Sequence, residues 1–600
     1  MNETDDIRID SLGGLKRTHD CGSLRTENAD SEAVLMGWVN SRRDLGNLIF
    51  IDLRDRGGIT QIVFDPQVAE ESHERAHILR NEWVLAVKGT VSHRLEGQEN
   101  HDLPTGAIEI KVNELRILNR TETPPFQVDG AVDASENLRL KYRYLELRRP
   151  QIFSAFYKRH MIAASIRGYL NREGFIEVET PFLTKSTPEG ARDYLVPSRV
   201  NRGMFYALPQ SPQLFKQLLM VAGFDRYYQI VRCFRDEDLR SDRQPEFTQV
   251  DLEMSFVDEE DVIRIFEIMM KKIFHEILAC HVSIPIQRLE YQEAMDRFGT
   301  DRPDLRFGME LRDITHIAAR SDFKIFKRAV EDGGVVKAIT VKEGAGVFSR
   351  KKIDELSDIV AAHGAKGLAW IKVTVDGWQS SLDKFFEAED KANINRKCGA
   401  GPGDLILIIA DKYKTASEAL DALRLDVAKR LGLIGDSYSF VWVTKFPLLE
   451  FSETEGRFEA VHHPFTAPLE EDLHLLDDHP ERVRARSYDL VLNGTEIGGG
   501  SVRIHNIDVQ EKMFNILNIS PEEAQMKFGF LLEALKYGAP PHAGMALGFD
   551  RLVAIMVGVS SIREVIAFPK TTSATCPLTD APSKVDEGQI KELGLRTDLE

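Results

Sequence analysis

The feature that most constrains the fold of this chain is a strand, a charged loop and a second strand at residues 225–256, which read DRYYQIVRCFRDEDLRSDRQPEFTQVDLEMSF. Along the second strand polar and apolar side chains alternate, so one face carries Phe247, Gln249, Asp251 and Glu253 while the other face is apolar. Two strands joined by one loop predict an antiparallel sheet. The chain also has no GxxxxGKS or GxxxxGKT loop, which is typical of parallel nucleotide-binding folds.

The polar row on the second strand fits two interpretations. In an isolated strand, such a row is most simply the solvated face of a sheet. The first strand, however, ends at Arg235, which is followed by Asp236 and Glu237, so cations and carboxylates converge at one end of the sheet. An arginine for a phosphate, an aromatic ring for a base, and carboxylates for an ammonium group or a metal ion together suit a nucleotide.

The length of 600 residues exceeds what one hydrophobic core supports and predicts roughly three or four domains of about 150 residues each. With 42% hydrophobic and 29% charged residues, the chain has the composition of a globular protein. The segments that carry chemical groups, at 174–256 and 440–570, flank residues 302–434, which have their own helical and strand patterns. We therefore predict that residues 302–434 are an inserted domain and that the two flanking segments form one site.

Residues 34–118 predict three strands, a helix and two further strands, which is the order of an OB barrel. The predicted strands are 34–40, 47–54, 59–64, 83–92 and 106–118, and the predicted helix is 67–80. In the second strand Ile49 and Ile51 face one way and Phe50 faces the other. OB barrels stack single-stranded bases on outward aromatic rings of this kind. A lone outward Phe is more often packed under a loop, so this pattern alone leaves both interpretations open.

The net charge of −18 opposes a protein that coats nucleic acid non-specifically, because such binding neutralises many phosphates. Residues 139–159 form a local basic stripe with seven Lys or Arg and the single acid Glu146, which fits a solvated helix face or a surface that follows a phosphate backbone. The N-terminus is acidic, and no purely apolar run is longer than that at 405–410, which is too short to span a bilayer, so we expect a cytoplasmic protein. Five scattered cysteines without a CxxC pair oppose a structural zinc site and a disulfide framework.

Three segments, in order along the chain, resemble the signature motifs of class II aminoacyl-tRNA synthetases. GFIEVETP at 174–181 resembles motif 1, FRDE at 234–237 with PEFTQ at 245–249 resembles motif 2, and GMALGFDR at 544–551 resembles motif 3. Each motif alone is a weak signal, but three in this order are specific. The resemblance implies an antiparallel-sheet catalytic domain, ATP as a substrate, Mg²⁺ as its cofactor, and a homodimer formed through motif 1.

Four further blocks resemble the bacterial type of aspartyl-tRNA synthetase, a class IIb family. They are STPEGARDYLVPS at 186–198, QSPQLFKQ at 210–217, HHPFT at 462–466 and GGGSVRIH at 498–505. The resemblance covers nearly the whole chain, including the barrel and the insertion, which is similar to the GAD domain of the bacterial form. It implies that the protein activates L-aspartate with ATP and transfers it to the 3′ end of tRNA(Asp), without contact with a membrane or with DNA.

The predicted fold class is therefore multidomain α+β, with an N-terminal OB-fold barrel, a class II antiparallel-sheet catalytic domain and an inserted GAD-like α+β domain. Pro124, Pro125 and Gly130 mark a linker, and an Arg-rich helix at 148–173 follows it. The predicted bounds are 1–120 for the OB-fold anticodon-binding domain, 121–150 for the hinge, 151–301 and 435–585 for the two parts of the catalytic domain, 302–434 for the insertion and 586–600 for the C-terminal tail.

The resemblance also implies roles for single residues. The implied catalytic residues are Arg235, Arg551 and Glu237. The implied ATP-binding residues are Arg235, Glu237, Phe247, Glu496 and Arg551, and the implied Mg²⁺ ligands are Asp489 and Glu496. The implied aspartate-binding residues are Glu189, Ser211, Gln213, Lys216, Arg235, Asp251, His462 and Arg503. The implied anticodon-binding residues are Arg43, Leu45, Phe50, Gln61 and Glu109.

Three other kinds of protein share parts of this pattern. A non-catalytic RNA-binding protein would not need Arg235 and Arg551, and a ligase that makes free asparagine from ammonia would not need a barrel that reads an anticodon. An asparaginyl-tRNA synthetase would lack the GAD-like insertion and would not need Arg503 opposite a carboxylate. Leu45 and Gly97 in the barrel loops give a mixed signal between family members that charge only tRNA(Asp) and members that also charge tRNA(Asn). The sequence leaves that choice open.

Overall fold

A computed structural model describes residues 9–130, 133–187 and 191–597 of the chain. The chain forms two compact units, one of residues 1–159 with 563–584 and the other of residues 160–562 with 585–600. Within the described ranges, no helix combines the length and the apolar character needed to cross a membrane.

The first unit is built on a closed five-stranded barrel. Its elements are β1 (Glu32–Leu45), β2 (Leu48–Asp55), β3 (Gly58–Phe64), α1 (Glu70–Ala76), β4 (Val84–His93) and β5 (Ile108–Asn119). The strand order is β1-β2-β3-β5-β4, with β3 and β5 parallel and the other neighbours antiparallel. Alternate residues such as Ile49, Ile51 and Leu53 fill the interior. The predicted OB fold is confirmed, and its helix is shorter than the predicted 67–80.

Three helices follow the barrel: α2 (Glu136–Lys141), α3 (Arg143–Glu146) and α4 (Pro150–Arg172). Arg143 ties α3 to the C-terminal part of the same unit. Its buried guanidinium forms an ion pair with Glu146 at 2.6 Å and donates to the backbone carbonyls of Arg563, Ile566 and Ala567 at 2.9 Å each. The basic stripe noted in the sequence therefore serves the fold of this unit in part.

The second unit contains a large sheet and an inserted domain. Its elements before the insertion are β6 (Ile176–Glu177), β7 (Leu195–Pro197), β8 (Phe205–Ala207), α5 (Gln213–Val221), β9 (Arg226–Phe234), β10 (Glu246–Ser255), α6 (Glu259–Leu278), β11 (Arg288–Glu290) and α7 (Tyr291–Phe298). The insertion contains β12 (Arg312–Asp313), α8 (Thr315–Ala318), α9 (Lys324–Glu331), β13 (Val335–Val341), α10 (Gly344–Val347), α11 (Arg350–Ala362), β14 (Ala369–Thr374), β15 (Gly377–Gln379), α12 (Ala388–Cys398), β16 (Leu405–Asp411) and α13 (Tyr413–Arg430). The elements after it are β17 (Phe440–Thr444), β18 (Leu449–Ser452), β19 (Arg457–Ala460), β20 (Ser487–Leu492), β21 (Thr495–Val502), α14 (Ile507–Ile516), α15 (Pro521–Leu535), β22 (His542–Gly548), α16 (Phe549–Val557) and α17 (Glu587–Glu592).

The large sheet has eight strands in the order β11-β17-β20-β21-β22-β10-β9-β6. The six strands from β17 to β9 are antiparallel, and the outer strands β11 and β6 run parallel to their neighbours. This confirms the predicted antiparallel sheet. In β10 the apolar residues Val250, Leu252 and Met254 are buried, and Asp251 and Glu253 of the opposite face are buried as well. The polar face of the sheet is therefore covered rather than solvated.

The inserted domain has its own five-stranded sheet in the order β12-β13-β16-β14-β15. A separate apolar core lies on each face of this sheet. Leu405, Leu407 and Ile409 of β16 enter one core, and Ile406 and Ile408 enter the other. A strand buried on both faces explains why this part of the sequence is apolar without alternation.

Candidate active site

A cavity of about 430 Å³ lies over the polar face of the eight-stranded sheet. Residues of β10, β21 and β22 line it from the sheet, and residues of α5, α16 and the segment 461–463 line it from the sides. Twelve residues predicted from the sequence line this cavity: Ser211, Gln213, Lys216, Arg235, Glu237, Phe247, Asp251, His462, Asp489, Glu496, Arg503 and Arg551. Glu189, also predicted to bind aspartate, lies outside the described residues.

Arg503, which lines the cavity, forms a buried ion pair with Glu253. Arg503 donates from Nε to Glu253 Oε1 at 2.8 Å and from Nη2 to Oε2 at 3.1 Å. Its Nη1 donates to Ser501 Oγ at 2.7 Å and to His463 Nε2 at 2.8 Å. These bonds use four of the five guanidinium N–H groups. The fifth, on Nη2, has no hydrogen-bond partner among the described residues, and Arg503 lines the cavity.

Lys216 of α5 joins the same buried cluster. Its Nζ donates to Asp251 Oδ1 at 3.0 Å and lies 3.4 Å from Glu253 Oε2. Burial raises the pKa of Asp251, although Lys216 opposes this shift. Asp251 Oδ2 is buried and has no hydrogen-bond partner within the described part of the chain. Because an unpaired buried oxygen is costly, Asp251 Oδ2 is suited to accept a donor from a ligand.

His463 is a residue of this cluster that the sequence reasoning missed. Arg503 can only donate, so His463 Nε2 accepts the bond between them and is unprotonated. Burial, together with the positive charge of Arg503, holds the pKa of His463 well below its usual value. His463 therefore orients Arg503 as a neutral ring. The doublet in the HHPFT block is the sequence signal that indicates it, and the alternation in β10 is the signal that indicates Glu253.

A chain of hydrogen bonds fixes Gln213 at the cavity. Gln213 Nε2 donates to Gln217 Oε1 at 3.1 Å, and Gln217 Nε2 and His542 Nε2 are 3.1 Å apart. His542 Nδ1 lies 2.8 Å from the carbonyl of Pro540 and donates to it, so His542 Nε2 is the acceptor for Gln217. Burial lowers the pKa of His542, in agreement with a neutral ring. Gln213 thus has a fixed orientation beside Ser211, whose Oγ accepts from Gln213 N at 3.2 Å.

Arg235 and Phe247 lie together in another part of the cavity. The guanidinium carbon of Arg235 is 5.1 Å from the centroid of the Phe247 ring, which is a cation–π distance. Arg235 Nε is buried and has no hydrogen-bond partner among the residues that the structure describes. Glu237 accepts from Arg243 Nη1 at 3.2 Å in the loop between β9 and β10. The structure thus places a cation, an aromatic ring and a carboxylate where the sequence composition indicates a nucleotide.

Arg551 of α16 also lines the cavity. It donates from Nη1 to the backbone carbonyl of Glu496 at 3.0 Å and from Nη2 to Asp242 Oδ2 at 3.2 Å. The Asp242 side chain is 42% exposed. Because an exposed ion pair contributes only about 0–1 kcal/mol, an anionic ligand can displace Asp242 from Arg551.

Asp489 of β20 and Glu496 of β21 form a carboxylate corner. A Cβ atom on Gly499 would lie 2.7 Å from Asp489 Oδ1 and 3.7 Å from Glu496 Oε1, so glycine leaves room for both carboxylates. Burial, and then the charge of Asp489, raises the pKa of Glu496. His462 Nε2 lies 3.3 Å from Asp489 Oδ1. Burial lowers the pKa of His462, but Asp489 and Glu496 outweigh this effect and raise it overall.

This corner fits a magnesium ion that also binds phosphate. Mg²⁺ usually takes one or two carboxylates from the protein and completes its shell with water and substrate phosphates. Asp489 and Glu496 would supply two such ligands, and burial together with the charge of Asp489 raises the pKa of Glu496. Among the described residues, no group of three or more His, Cys, Asp or Glu side chains is arranged to hold a metal ion by itself.

On the barrel, three of the five predicted anticodon residues form one hydrogen-bonded chain. Arg43 Nη2 donates to Gln61 Oε1 at 3.0 Å, and Gln61 Nε2 donates to Glu109 Oε2 at 2.9 Å. Phe50 is half-buried and is the cross-strand partner of Arg43, and Leu45 is 62% exposed at the end of β1. Burial raises the pKa of Glu109, although Gln61 opposes this shift. The structure therefore brings all five residues to one face of the barrel.

Comparison with known proteins supports both parts of this description. Residues 135–572 match the family described as tRNA synthetases class II (D, K and N). Residues 33–118 match the family described as OB-fold nucleic acid binding domain. The first match covers more than half of the chain and includes every cavity residue named above.

The chain is 58% identical to the aspartate–tRNA(Asp/Asn) ligase of Desulfatibacillum aliphaticivorans, over 98% of this chain and 98% of that protein. It is also 58% identical to the protein of the same name from Syntrophotalea carbinolica, over 98% of this chain and 99% of that protein. A solved structure of asparaginyl-tRNA synthetase from Pyrococcus horikoshii, complexed with asparaginyl-adenylate, is similar with a TM-score of 0.58 and 19% identity. This similarity covers 93% of this chain and 98% of that chain, and at this identity it concerns the fold alone.

Glu253→Gln tests the buried ion pair, because it keeps the side-chain shape and removes the charge that offsets Arg503 and Lys216. Breaking a buried pair leaves an uncompensated charge, so we expect a loss of about 3–5 kcal/mol in the stability of the unit that contains the large sheet. Calorimetric thermal unfolding measures this loss. Glu523→Gln, which removes the exposed partner of Lys527, is the control, and we expect a change below about 0.5 kcal/mol. Equal transition temperatures for the two variants would contradict a stabilising role for the pair.

Proposed function

The chain belongs to the class II tRNA synthetases of the D, K and N group, and on that premise we propose that it is an ATP-dependent aspartate–tRNA ligase. It activates L-aspartate with ATP to give aspartyl-adenylate and pyrophosphate, and it then transfers aspartate to the 3′ end of tRNA. We propose both tRNA(Asp) and tRNA(Asn) as acceptors, because relatives with 58% identity along almost the full chain bear the name aspartate–tRNA(Asp/Asn) ligase. The observation that carries the proposal is the cavity, which combines a buried cationic cluster with arginines suited to phosphates.

The buried cluster is suited to the aspartate substrate. The side-chain carboxylate of the substrate is assigned to the Nη2 N–H of Arg503 that has no partner among the described residues and to the ammonium group of Lys216. His462, the third predicted contact, pairs with Asp489 in the structure. Nε and Nη2 of Arg503 both donate to Glu253, so the guanidinium cannot form a bidentate pair with the substrate carboxylate through these two nitrogens. A second bond from Arg503 requires Nη1 to release Ser501 or His463.

The substrate's ammonium group matches the unpartnered Asp251 Oδ2, with Gln213 and Ser211 as neighbouring polar contacts. Glu189 remains a predicted contact to the same substrate. This assignment gives the buried carboxylate a donor that no described residue supplies. It also explains why one carboxylate in the cluster has a free oxygen although Lys216 and Arg503 lie close by.

The arginines at the other part of the cavity are suited to ATP. Phe247 offers a ring for the adenine base, and Glu237 offers an acceptor for the adenine amine. Arg235, whose Nε has no hydrogen-bond partner among the described residues, is assigned to the α-phosphate and the reacting carboxylate. Arg551 binds the γ-phosphate, which displaces Asp242 from the Arg551 guanidinium. Asp489 and Glu496 would hold Mg²⁺, which supplies positive charge to the phosphates when it is bound.

The chemistry requires no nucleophile from the protein. The α-carboxylate of aspartate attacks the α-phosphorus of ATP in line, the bond to pyrophosphate breaks, and pyrophosphate leaves. A ribose hydroxyl of the terminal nucleotide of tRNA then attacks the carbonyl carbon of the adenylate, and AMP leaves. Arg235 stabilises the negative charge that develops at the phosphorus, because its position is fixed before the reaction. Catalysis by this chain is therefore mainly positioning and charge stabilisation.

The remaining parts of the proposal concern partners and location. The barrel reads the anticodon through the face that carries Arg43, Phe50 and Gln61, where one aromatic ring lies beside hydrogen-bonding groups. We propose a homodimer, since Phe153, Tyr157 and Met161 of α4 are exposed at a spacing of four residues and form an apolar stripe. Since ATP and tRNA are both cytoplasmic, we propose that the protein acts in the cytoplasm.

The activity is tested with the purified full-length protein. We expect aspartate-dependent exchange of pyrophosphate into ATP that requires Mg²⁺ and no tRNA, and aspartylation of both tRNA(Asp) and tRNA(Asn). Absence of exchange would reject the enzymatic proposal. Charging of tRNA(Asp) alone would retain the ligase and reject tRNA(Asn) as a substrate.

Arg503→Leu tests the carboxylate-binding group. We expect kcat/KM for aspartate in the exchange reaction to fall at least about 10³-fold, because a desolvated carboxylate loses its partner, and we expect no gain of asparagine use. ATP binding and the thermal transition are measured on the same sample to separate this effect from unfolding. Arg457→Leu, which removes an exposed arginine of β19, is the control and should keep wild-type kinetics. Normal aspartate kinetics in Arg503→Leu would refute the assignment.

Phe50→Ala tests whether the barrel face stacks a base. A base–aromatic stacking contact contributes about 1–3 kcal/mol, so we expect KM for tRNA to rise about 5- to 150-fold while KM values for ATP and aspartate stay constant. Ile78→Ala, an exposed apolar residue after α1, is the control and should leave all three values unchanged. If the ATP and aspartate constants change together with the tRNA constant, Phe50 supports the fold instead of binding a base.

A further inference from the structure

The loop of residues 299–308, which leads from α7 into the inserted domain, also forms part of the cavity. Asp301 of this 299–308 loop lines the cavity with Asp489 and Glu496. The loop was not among the site segments that the sequence indicated. Its position connects the inserted domain to the carboxylate corner.

Arg424 of α13, in the inserted domain, binds the backbone of the 299–308 loop. Its Nη2 donates to the backbone carbonyl of Asp304 at 2.6 Å and to that of Phe307 at 3.1 Å. The guanidinium carbon lies 4.2 Å from the centroid of the Phe307 ring and 5.1 Å from that of Phe298. Arg424 is 0% exposed, and its Nε and Nη1 have no hydrogen-bond partner among the described residues. The loop backbone is therefore held by a fully buried cation.

A buried arginine of this kind contributes little net stability to the fold. Burial lowers the pKa of Arg424, which shows the cost of keeping its charge there, although Asp421 opposes the shift. An apolar side chain of similar volume in such a place is often neutral or more stabilising. What an apolar side chain cannot do is bind two backbone carbonyls and fix the path of the loop. The arrangement points to a positional role for Arg424.

A second contact presses the same loop against α13. Gly299 has a φ of +79°, and a Cβ atom there would lie 2.3 Å from the carbonyl oxygen of Ser417. Ser417 in turn accepts at Oγ from the buried Lys337 of β13 at 3.1 Å, and Lys337 Nζ lies 3.5 Å from the carbonyl of Met295 in α7. Both ends of the 299–308 loop are thus fixed by the inserted domain.

The 299–308 loop also contacts the turn between β20 and β21, the strands that carry Asp489 and Glu496. Asn493 and Gly494 form this turn with φ values of 51° and 77°. A Cβ atom on Gly494 would lie 3.1 Å from Asp304 Cβ, so the loop and the turn are in close contact. Arg306 holds the Asp304 carboxylate at 2.6 Å. A displaced loop would therefore also displace the turn that sets Asp489 and Glu496 side by side.

We propose that the inserted domain is a supporting wall of the active site and that Arg424 is a positioning residue for its phosphate and metal corner. Arg424 fixes the 299–308 loop, the loop supports the turn at 493–494, and the turn aligns Asp489 with Glu496. The inference rests on the proposed function only in assigning this corner to the phosphates of ATP. The aspartate cluster includes Lys216 of α5 and Asp251 of β10, and Arg503 follows the end of β21 that is remote from the 493–494 turn, so the proposal gives this cluster no dependence on the loop.

The test uses Arg424→Met in the full-length protein, which removes both hydrogen bonds and keeps an apolar stem between the two rings. In pyrophosphate exchange, we expect KM for ATP and the Mg²⁺ concentration for half-maximal rate to rise about tenfold, as when a group behind a metal ligand is lost, with KM for aspartate unchanged. Arg424→Lys keeps a charged donor and should recover part of this loss. Lys429→Met removes an exposed cation from the last turn of α13 and is the matched control, with wild-type constants expected.

A measurement that does not depend on turnover accompanies the kinetics. Titration calorimetry of ATP with Mn²⁺ should show about tenfold weaker binding for Arg424→Met, with the thermal transition preserved. Unchanged ATP·Mn²⁺ binding would overturn the proposal, and so would a lowered thermal transition with KM for aspartate rising in step with KM for ATP. If the wild type binds ATP·Mn²⁺ but shows no aspartate-dependent exchange, the proposed function fails, and the binding constants of the variants still decide the role of Arg424.

Discussion

The pair of Glu253 and Arg503 is the interaction on which the rest of the cavity depends. Both side chains are buried, so each needs the other as its counter-charge. Glu253 comes from β10 and Arg503 follows β21, and β22 lies between these strands in the sheet. The pair can form only if the central strand, β22, leaves space. A Cβ atom on Gly544 of β22 would lie 2.0 Å from Glu253 Oε2, so a glycine there allows the charges to meet across the sheet.

The same pair determines which groups remain available to a substrate. Glu253 is shared between Arg503 and Lys216, and burial favours its neutral form, but these two cations lower its pKa below the ordinary value. Lys216 also binds Asp251 through one oxygen only, and the other oxygen has no partner in the part of the chain that the structure describes. A cluster with one unused N–H and one unused carboxylate oxygen is matched to a ligand that carries both a carboxylate and an ammonium group. An amino acid with a carboxylate side chain meets this requirement.

The sequence predicts the fold and most of the cavity because both depend on local patterns. Alternation in β10 and the order of strands in the barrel are properties of short segments, and both are confirmed. Partners across the sheet are not local. Arg54 of β2 follows the outward pattern of Phe50, yet it is buried because Glu82, far along the chain, pairs with it at 2.7 Å. Glu253 was visible on the polar face, but nothing in the sequence distinguishes a residue that binds a substrate from one that holds Arg503. The roles of the cavity residues therefore stay predictions.

For the inserted domain too, the sequence predicts the separate core but not the contacts with the rest of the unit. Its two apolar cores make it separable in the sequence, and residues 302–434 carry periodic patterns of their own. Its attachment to the catalytic sheet, however, includes buried polar groups, namely Lys337, Ser417 and Arg424, that bind backbone carbonyls and each other. Such bonds have strict geometry, whereas apolar contacts tolerate small shifts. A domain that served only as an appendage would gain nothing from this precision. A domain whose loop borders the carboxylate corner needs it, since a shift of about 1 Å at a reacting group can cost two orders of magnitude in rate.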